Sequence, residues 1–147
     1  MIENQEDLAK LMTGEQGKPL AESKGEIVYA ASFIEWFAEE GKRVYGDVIP
    51  GHQTDKRILV LRQPVGVVAS ITPWNFPLYL SVGPLVAALA AGNRVMIKMS
   101  EFTPRTTELL GRMLRECFAE DEVAVFGGEV EAAQAFSALP FNHIVFT

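Results

Sequence analysis

Asn75 lies in the stretch Thr72-Pro73-Trp74-Asn75-Phe76-Pro77, with a proline on either side of the Trp-Asn-Phe triplet. Each proline locks its own φ and biases the residue before it toward extended backbone, so the segment reads as a stiff turn that holds a carboxamide in place. A held NH2 group can donate to a developing oxyanion, a contribution worth about 2.7–4 kcal/mol in acyl chemistry. The same residues fit, with equal weight, a rigid turn under a packed Trp74 that does no chemistry. Lys98 and Glu101 form a second candidate pair, a cation and a carboxylate just ahead of Pro104. Lysine as donor and glutamate as bidentate acceptor suit the hydroxyls of a ribose. From the pattern alone, a partly exposed ion pair beside a helix start explains them more simply, because the helix dipole favours Glu there. Gly127-Gly128 would let a ligand approach the backbone, but a lone glycine pair in a turn is weak evidence.

Several chemistries are excluded. The chain has no GxGxxG, no GxxxxGK[ST] and no GxSxG, which removes a standard dinucleotide fingerprint, a P-loop and a nucleophile elbow. Its single cysteine, Cys117, stands four residues after Met113 and eight after Leu109, on the apolar stripe of a predicted helix. A thiol there reads as buried and inert. His52 and His143 are isolated, and without a His/Cys/carboxylate cluster no metal site is expected.

The elements that must position these groups fall into three parts. Residues 1–45 read as a helical lead-in: a short helix to Met12, broken by Thr13 to Pro19, then a long amphipathic helix from Leu20 to about Tyr45. Residues 46–63 read as a β-hairpin with a turn from Pro50 to Lys56. A lone two-stranded hairpin is marginal in water, so it is expected to lie on another surface. Residues 64–147 alternate strand and helix: Val65 to Ile71, Val82 to Ala91, Arg94 to Ile97, Pro104 to Phe118, Glu122 to Phe126, Val130 to Leu139 and His143 to Thr147. Apolar strands separated by helices predict a Rossmann-like parallel sheet with helices on both faces, an α/β fold. Thr103 before Pro104 predicts a hydroxyl cap on the fourth helix. In such a sheet the ligand crevice lies beyond the carboxyl ends of the strands, where Asn75, Lys98, Glu101 and Gly127 all fall.

The 147 residues fit one domain, and 48% apolar with 22% charged residues is the composition of a folded soluble protein. A net charge of −6 with scattered Lys and Arg argues against nucleic acid. The longest apolar stretch, Trp74 to Ala91, is interrupted by polar residues, proline and glycine, which argues against a membrane span and for a cytoplasmic protein.

ITPWNFP, GPLVAALAAGNRVMIK, SEFTPRT and HIVFT, in this order, resemble the NAD-binding domain of aldehyde dehydrogenases. The part from Glu15 to Gly51 resembles the succinate-semialdehyde branch, and the part after Pro64 the coniferyl-aldehyde or fatty-aldehyde branch. The resemblance implies NAD as cofactor and Asn75 as the oxyanion-hole carboxamide. It implies that Ile71, Pro73 and Trp74 lie along the nicotinamide, that Lys98 and Glu101 hold the adenosine ribose, and that Ser100, Gly127 and Phe146 complete the cofactor side. Glu101 implies a preference for NAD over NADP. Met99 stands where the family usually has proline, which implies a looser backbone beside Lys98. The arm from Gly46 to Gln63 implies a homo-oligomer, with domain swapping as one route. The family's nucleophilic cysteine and general-base glutamate have no counterpart here, which implies that the chain alone does not oxidise aldehydes. Two other readings stand beside this one: a hydrolase using Asn75 with Ser100 or Cys117, and a non-catalytic oligomerising fragment. In all three, α-helix Val82 to Ala91 is expected to leave an exposed apolar patch.

Overall fold

The computed structural model describes residues 1–147. Helix α1 covers Gln5–Gln16 and α2 covers Leu20–Glu40, followed by a short 3-10 turn at Gly41–Arg43. The polar Thr13-Gly14 pair stays helical; Gly17, at φ +77°, closes α1 in the left-handed region that glycine adopts without strain. Strands β1 (Asp47–Pro50) and β2 (Arg57–Val60) pair antiparallel as the expected hairpin. Every residue of both strands is exposed, Val48 at 73%, so nothing in this chain covers the hairpin.

The remainder alternates as expected: β3 (Val67–Ile71), α3 (Tyr79–Ala90), β4 (Arg94–Lys98), α4 (Pro104–Arg115), β5 (Val123–Phe126), α5 (Val130–Ser137) and β6 (His143–Phe146). These strands form one parallel sheet in the order β5-β4-β3-β6. The chain steps from β3 outward to β4 and β5, then returns across the sheet to β6. Right-handed crossovers place α3 and α4 on one face and α5 on the other. Between β3 and β6 the direction reverses, which makes their carboxyl ends the switch point where open α/β sheets bind ligands.

The core is layered. Ile97 and Val95 of β4 and Val123 of β5 meet Val82 and Leu85 of α3 and Leu110 of α4, and the lead-in helices close over these with Leu8, Ala9, Met12, Ile27 and Ala30. On the opposite face Phe136 of α5 packs against Phe126 and Phe141, with ring centroids 5.8 and 4.9 Å apart. No residue of α3 is exposed, so the apolar patch expected there is absent. The exposed apolar side chains are instead on the hairpin, on α2 (Val28, Ile34, Trp36) and on β6, where Phe146 is 80% exposed. No helix is long and apolar enough to cross a membrane.

Three local expectations fail for physical reasons. α3 starts a turn early, because its first amides are capped from α2, and it carries Pro84 inside it. Cys117 lies beyond the last residue of α4 and is exposed, since the helix ends at Arg115 before the apolar stripe reaches it. The Thr103 hydroxyl, fully buried, makes no hydrogen bond; the start of α4 is capped by Glu15 of α1, which accepts from the Arg105 amide at 2.6 Å and from the Thr106 amide at 2.9 Å.

Two stability measurements follow. Ile27→Ala, at a fully buried position, should cost about 2–5 kcal/mol in urea unfolding, whereas Val48→Ala in the open hairpin should change stability by no more than about 0.5 kcal/mol. Thr103→Val should leave the melting temperature unchanged or raised, because it replaces a buried, unpartnered hydroxyl with a methyl of the same shape; a loss of about 1 kcal/mol, the usual effect of removing a working cap, would contradict this account.

Candidate functional site

At the switch point lies a cavity of about 250 Å³. Its walls are Ile71, Pro73 and Trp74 at and just after the end of β3, Lys98, Ser100 and Glu101 at and just after the end of β4, and Phe146 and Thr147 at the end of β6. Register explains the convergence: Ile71 pairs with Lys98 on one side and with Phe146 on the other, so three strands end level.

Lys98 is the last residue of β4 and only 4% exposed. Its ammonium donates to the Met99 carbonyl and to the Gly128 carbonyl, both at 2.8 Å. No carboxylate pairs with it, so the simple ion-pair reading with Glu101 does not hold. Carbonyls occupy two of its three donors, which leaves one N–H and the whole positive charge for whatever enters the cavity. Glu101 is exposed and accepts from the Ser100 hydroxyl at 3.3 Å, while the Ser100 oxygen in turn accepts from the Phe102 amide at 3.3 Å. The turn is therefore held by its own short-range contacts, with the carboxylate facing out.

Met99 does not loosen this backbone. Its side chain is buried at 1% exposure and its amide donates to the Phe126 carbonyl at 3.0 Å, extending the β4–β5 ladder by a bond that proline could not make. Gly127 lies outside the cavity. Its neighbour Gly128 is the constrained one: φ is +95° and a Cβ there would come within 2.8 Å of the Ala132 Cβ, so only glycine presents its carbonyl to Lys98.

Asn75 stands in the turn between β3 and α3, exposed, with no hydrogen bond to its side chain and outside the cavity. Trp74 beside it is 47% exposed, so it lines the cavity instead of covering the turn. The prolines alone do not hold the carboxamide; the turn is anchored from its far end. Glu26 of α2, a buried carboxylate, accepts from the Leu78 amide at 2.9 Å and the Tyr79 amide at 3.1 Å through one oxygen and from the Lys18 ammonium at 2.5 Å through the other. Lys18 also sits 4.1 Å above the centre of the Phe76 ring. No spacing rule finds this contact, since Glu26 and Leu78 are 52 residues apart.

The caps have an electrostatic consequence. The starts of α3 and α4 point toward the strand ends, where a free helix start would attract phosphate. Both are already filled, by Glu26 and Glu15. An anion placed over the first βα turn, as in the standard dinucleotide fold, would meet a buried carboxylate.

A second cavity of about 560 Å³, missed by the sequence reading, lies between α2, α3 and β6. Phe33, Phe37, Tyr79, Gly83, Ala87 and Val145 give it an apolar, largely aromatic wall, and it meets the first cavity at Thr147. The neighbouring Tyr29 hydroxyl, and then burial, raise the Tyr79 phenol above its ordinary pKa. Cys117 is remote from both cavities: it follows the far end of α4, about 18 Å of helix from the strand ends. It cannot act on a group held near Asn75.

The chain has relatives among both curated proteins and solved structures. Among curated proteins, glutarate-semialdehyde dehydrogenase of Pseudomonas putida is 66% identical over 104 residues, 71% of this chain and 22% of that protein. The NADP(+) succinate-semialdehyde dehydrogenase of Escherichia coli is 65% identical over the same length and the same shares. The chain thus spans about a fifth of the length of these relatives. The solved succinate-semialdehyde dehydrogenase of Burkholderia pseudomallei superposes with a TM-score of 0.88 at 45% identity, covering 99% of this chain and 31% of that one. The aldehyde dehydrogenase family model matches residues 1–147, and the chain belongs to the aldehyde dehydrogenase family.

Proposed function

We propose that this chain forms the cofactor-side floor of an NAD-dependent aldehyde dehydrogenase site, and that it binds NAD weakly by itself. The observation that carries the reading is the convergence of Ile71, Pro73, Trp74, Lys98, Ser100, Glu101 and Phe146 on one cavity at the switch point, with an unneutralised lysine donor inside it. At about 250 Å³ the cavity is below the range of roughly 300–1,000 Å³ usual for whole ligands, so it receives part of a dinucleotide. A ribose fits its chemistry: Lys98 donates to one hydroxyl and Glu101 accepts from the pair. The cavity beside α5, about 490 Å³ and sharing Glu101 and Ala133 with the first, extends the site along that helix. Its Glu129 and Glu101 favour uncharged groups over phosphate there.

Bound nicotinamide would supply the hydride acceptor. The apolar cavity that meets the cofactor side at Thr147 is the place for the carbon chain of an aldehyde, and Asn75 is the donor for its oxygen. Attack on that carbonyl and activation of water need a nucleophile and a base that Cys117, at the far end of α4, does not provide. We therefore expect no aldehyde oxidation by the chain alone. The uncovered hairpin supports an oligomer through the Gly46 to Gln63 arm, and the exposed β6 edge makes exchange of elements between copies a route to it.

Isothermal titration with NAD and NADP tests the cofactor reading. NAD should bind saturably and more tightly than NADP, because an exposed Glu101 carboxylate repels a 2′-phosphate. Glu101→Ala and Lys98→Met should each weaken NAD by about tenfold, the scale of one hydrogen bond to a charged group, and Glu101→Ala should close the gap to NADP. Unchanged NAD affinity in both variants would sink the proposal. Light scattering on the same sample should give a mass above one chain; a strictly monomeric protein would remove the role of the arm.

A further inference from the structure

Asn75 makes no side-chain hydrogen bond of its own, yet the turn that carries it is fixed by two residues of the lead-in segment, Glu26 and Lys18. Glu26, with its side chain fully buried, uses one oxygen for the Leu78 and Tyr79 amides and the other for Lys18, whose ammonium lies over Phe76. The residues immediately after Asn75 are thereby pinned to α2. Three positions before Lys18, Glu15 caps α4 through the Arg105 and Thr106 amides and the Thr106 hydroxyl, the last at 2.6 Å. α4 begins just after the Ser100-Glu101 turn. Gly17, in its left-handed conformation, lies between Glu15 and Lys18 and lets the short connection send its two charged side chains to different helix starts.

We propose that Glu15, Lys18 and Glu26 act together as positioning residues: a brace that sets the Asn75 turn at a fixed distance from the Lys98 to Glu101 turn, and so sets the carboxamide against the cofactor. The inference rests on the proposed roles of those two turns. The choice of a buried ion pair supports it. Such a pair adds little stability compared with well-packed apolar side chains, but it enforces one geometry, since any displacement leaves a buried charge unpartnered. One oxygen of Glu26 is held by two backbone amides and the other by the Lys18 ammonium, so both are engaged and the turn is left one arrangement. Glu15 and Lys18 are joined by so few residues that a shift of one turn is transmitted to the other.

Hydrogen exchange and the side-chain carboxamide NMR signals of Asn75 test the brace without any ligand, in the wild type and in Lys18→Met, Glu26→Gln, Glu15→Gln and Lys18→Arg. Lys18→Met and Glu26→Gln should speed exchange at Leu78 and Tyr79 by about tenfold, the loss expected for a charge-assisted hydrogen bond, and should shift the Asn75 signals while the Val95 and Ile97 amides keep their protection. Glu15→Gln should do the same at Arg105 and Thr106 and also shift the Asn75 signals, the coupling that a local cap would not produce. Lys18→Arg, which keeps the charge pair, should restore the wild-type pattern. Exchange that rises equally in the core strands would reduce the three residues to general stabilisers, and unmoved Asn75 signals in Glu15→Gln would break the link between the two turns; either result overturns the proposal. NAD affinity is read separately, so a failed cofactor reading appears as absent NAD binding beside an intact exchange pattern.

Discussion

The first amides of every α-helix lack partners within the helix, and much of this structure depends on where those amides find acceptors. α3 and α4 begin at the carboxyl ends of β3 and β4, and neither carries a capping side chain of its own. Their acceptors come from α2 and α1, as Glu26 and Glu15. That arrangement ties the lead-in helices to the sheet by polar contacts at one end and by the Met12 and Ile27 layer along their length. It also decides the electrostatics of the crevice, because the two helix starts nearest the switch point no longer attract anions. The proposed cofactor would then be gripped by Lys98 and by turn residues instead of by a phosphate cradle.

Periodic signals in the sequence carried most of the fold. The apolar runs around Val68, Val95, Val123 and Val145 marked the strands, and strand-helix alternation marked the parallel sheet. Lys98 and Glu101 were legible as site candidates because strand ends in parallel sheets face the crevice, and the register brings Ile71, Lys98 and Phe146 level there. Long-range acceptors were not legible. Thr103 had every local mark of a cap and lost the position to Glu15, about ninety residues away. The sequence pattern placed the start of α3 at Val82, whereas capping from α2 lets the helix begin at Tyr79. Cys117 was misplaced by one turn: the apolar stripe continues in the sequence after the helix has stopped. Met99 shows the same limit from the other side, since its value lies in an amide that bonds to Phe126 and not in its side-chain type alone.

The hairpin stands apart from this logic. Its strands are apolar, fully exposed and paired only with each other, so its retention has no explanation within one copy of the chain. The sheet ends in two unpaired edges, β5 and β6, and β6 carries exposed Ile144 and Phe146. Apolar surface therefore collects on the hairpin, on α2 and along β6, where Phe146 also lines the cavity at the strand ends.

Lys98 keeps its charge among dipoles. Because carbonyls and not a carboxylate surround its ammonium, the interior of a protein with net charge −6 holds one cation that no neighbouring acid cancels. At 4% exposure that charge is screened by salt less than the surface charges are. The result is a small region of positive potential at the strand ends of a molecule that repels anions at long range; its attraction is felt mainly by a group that has already entered the crevice.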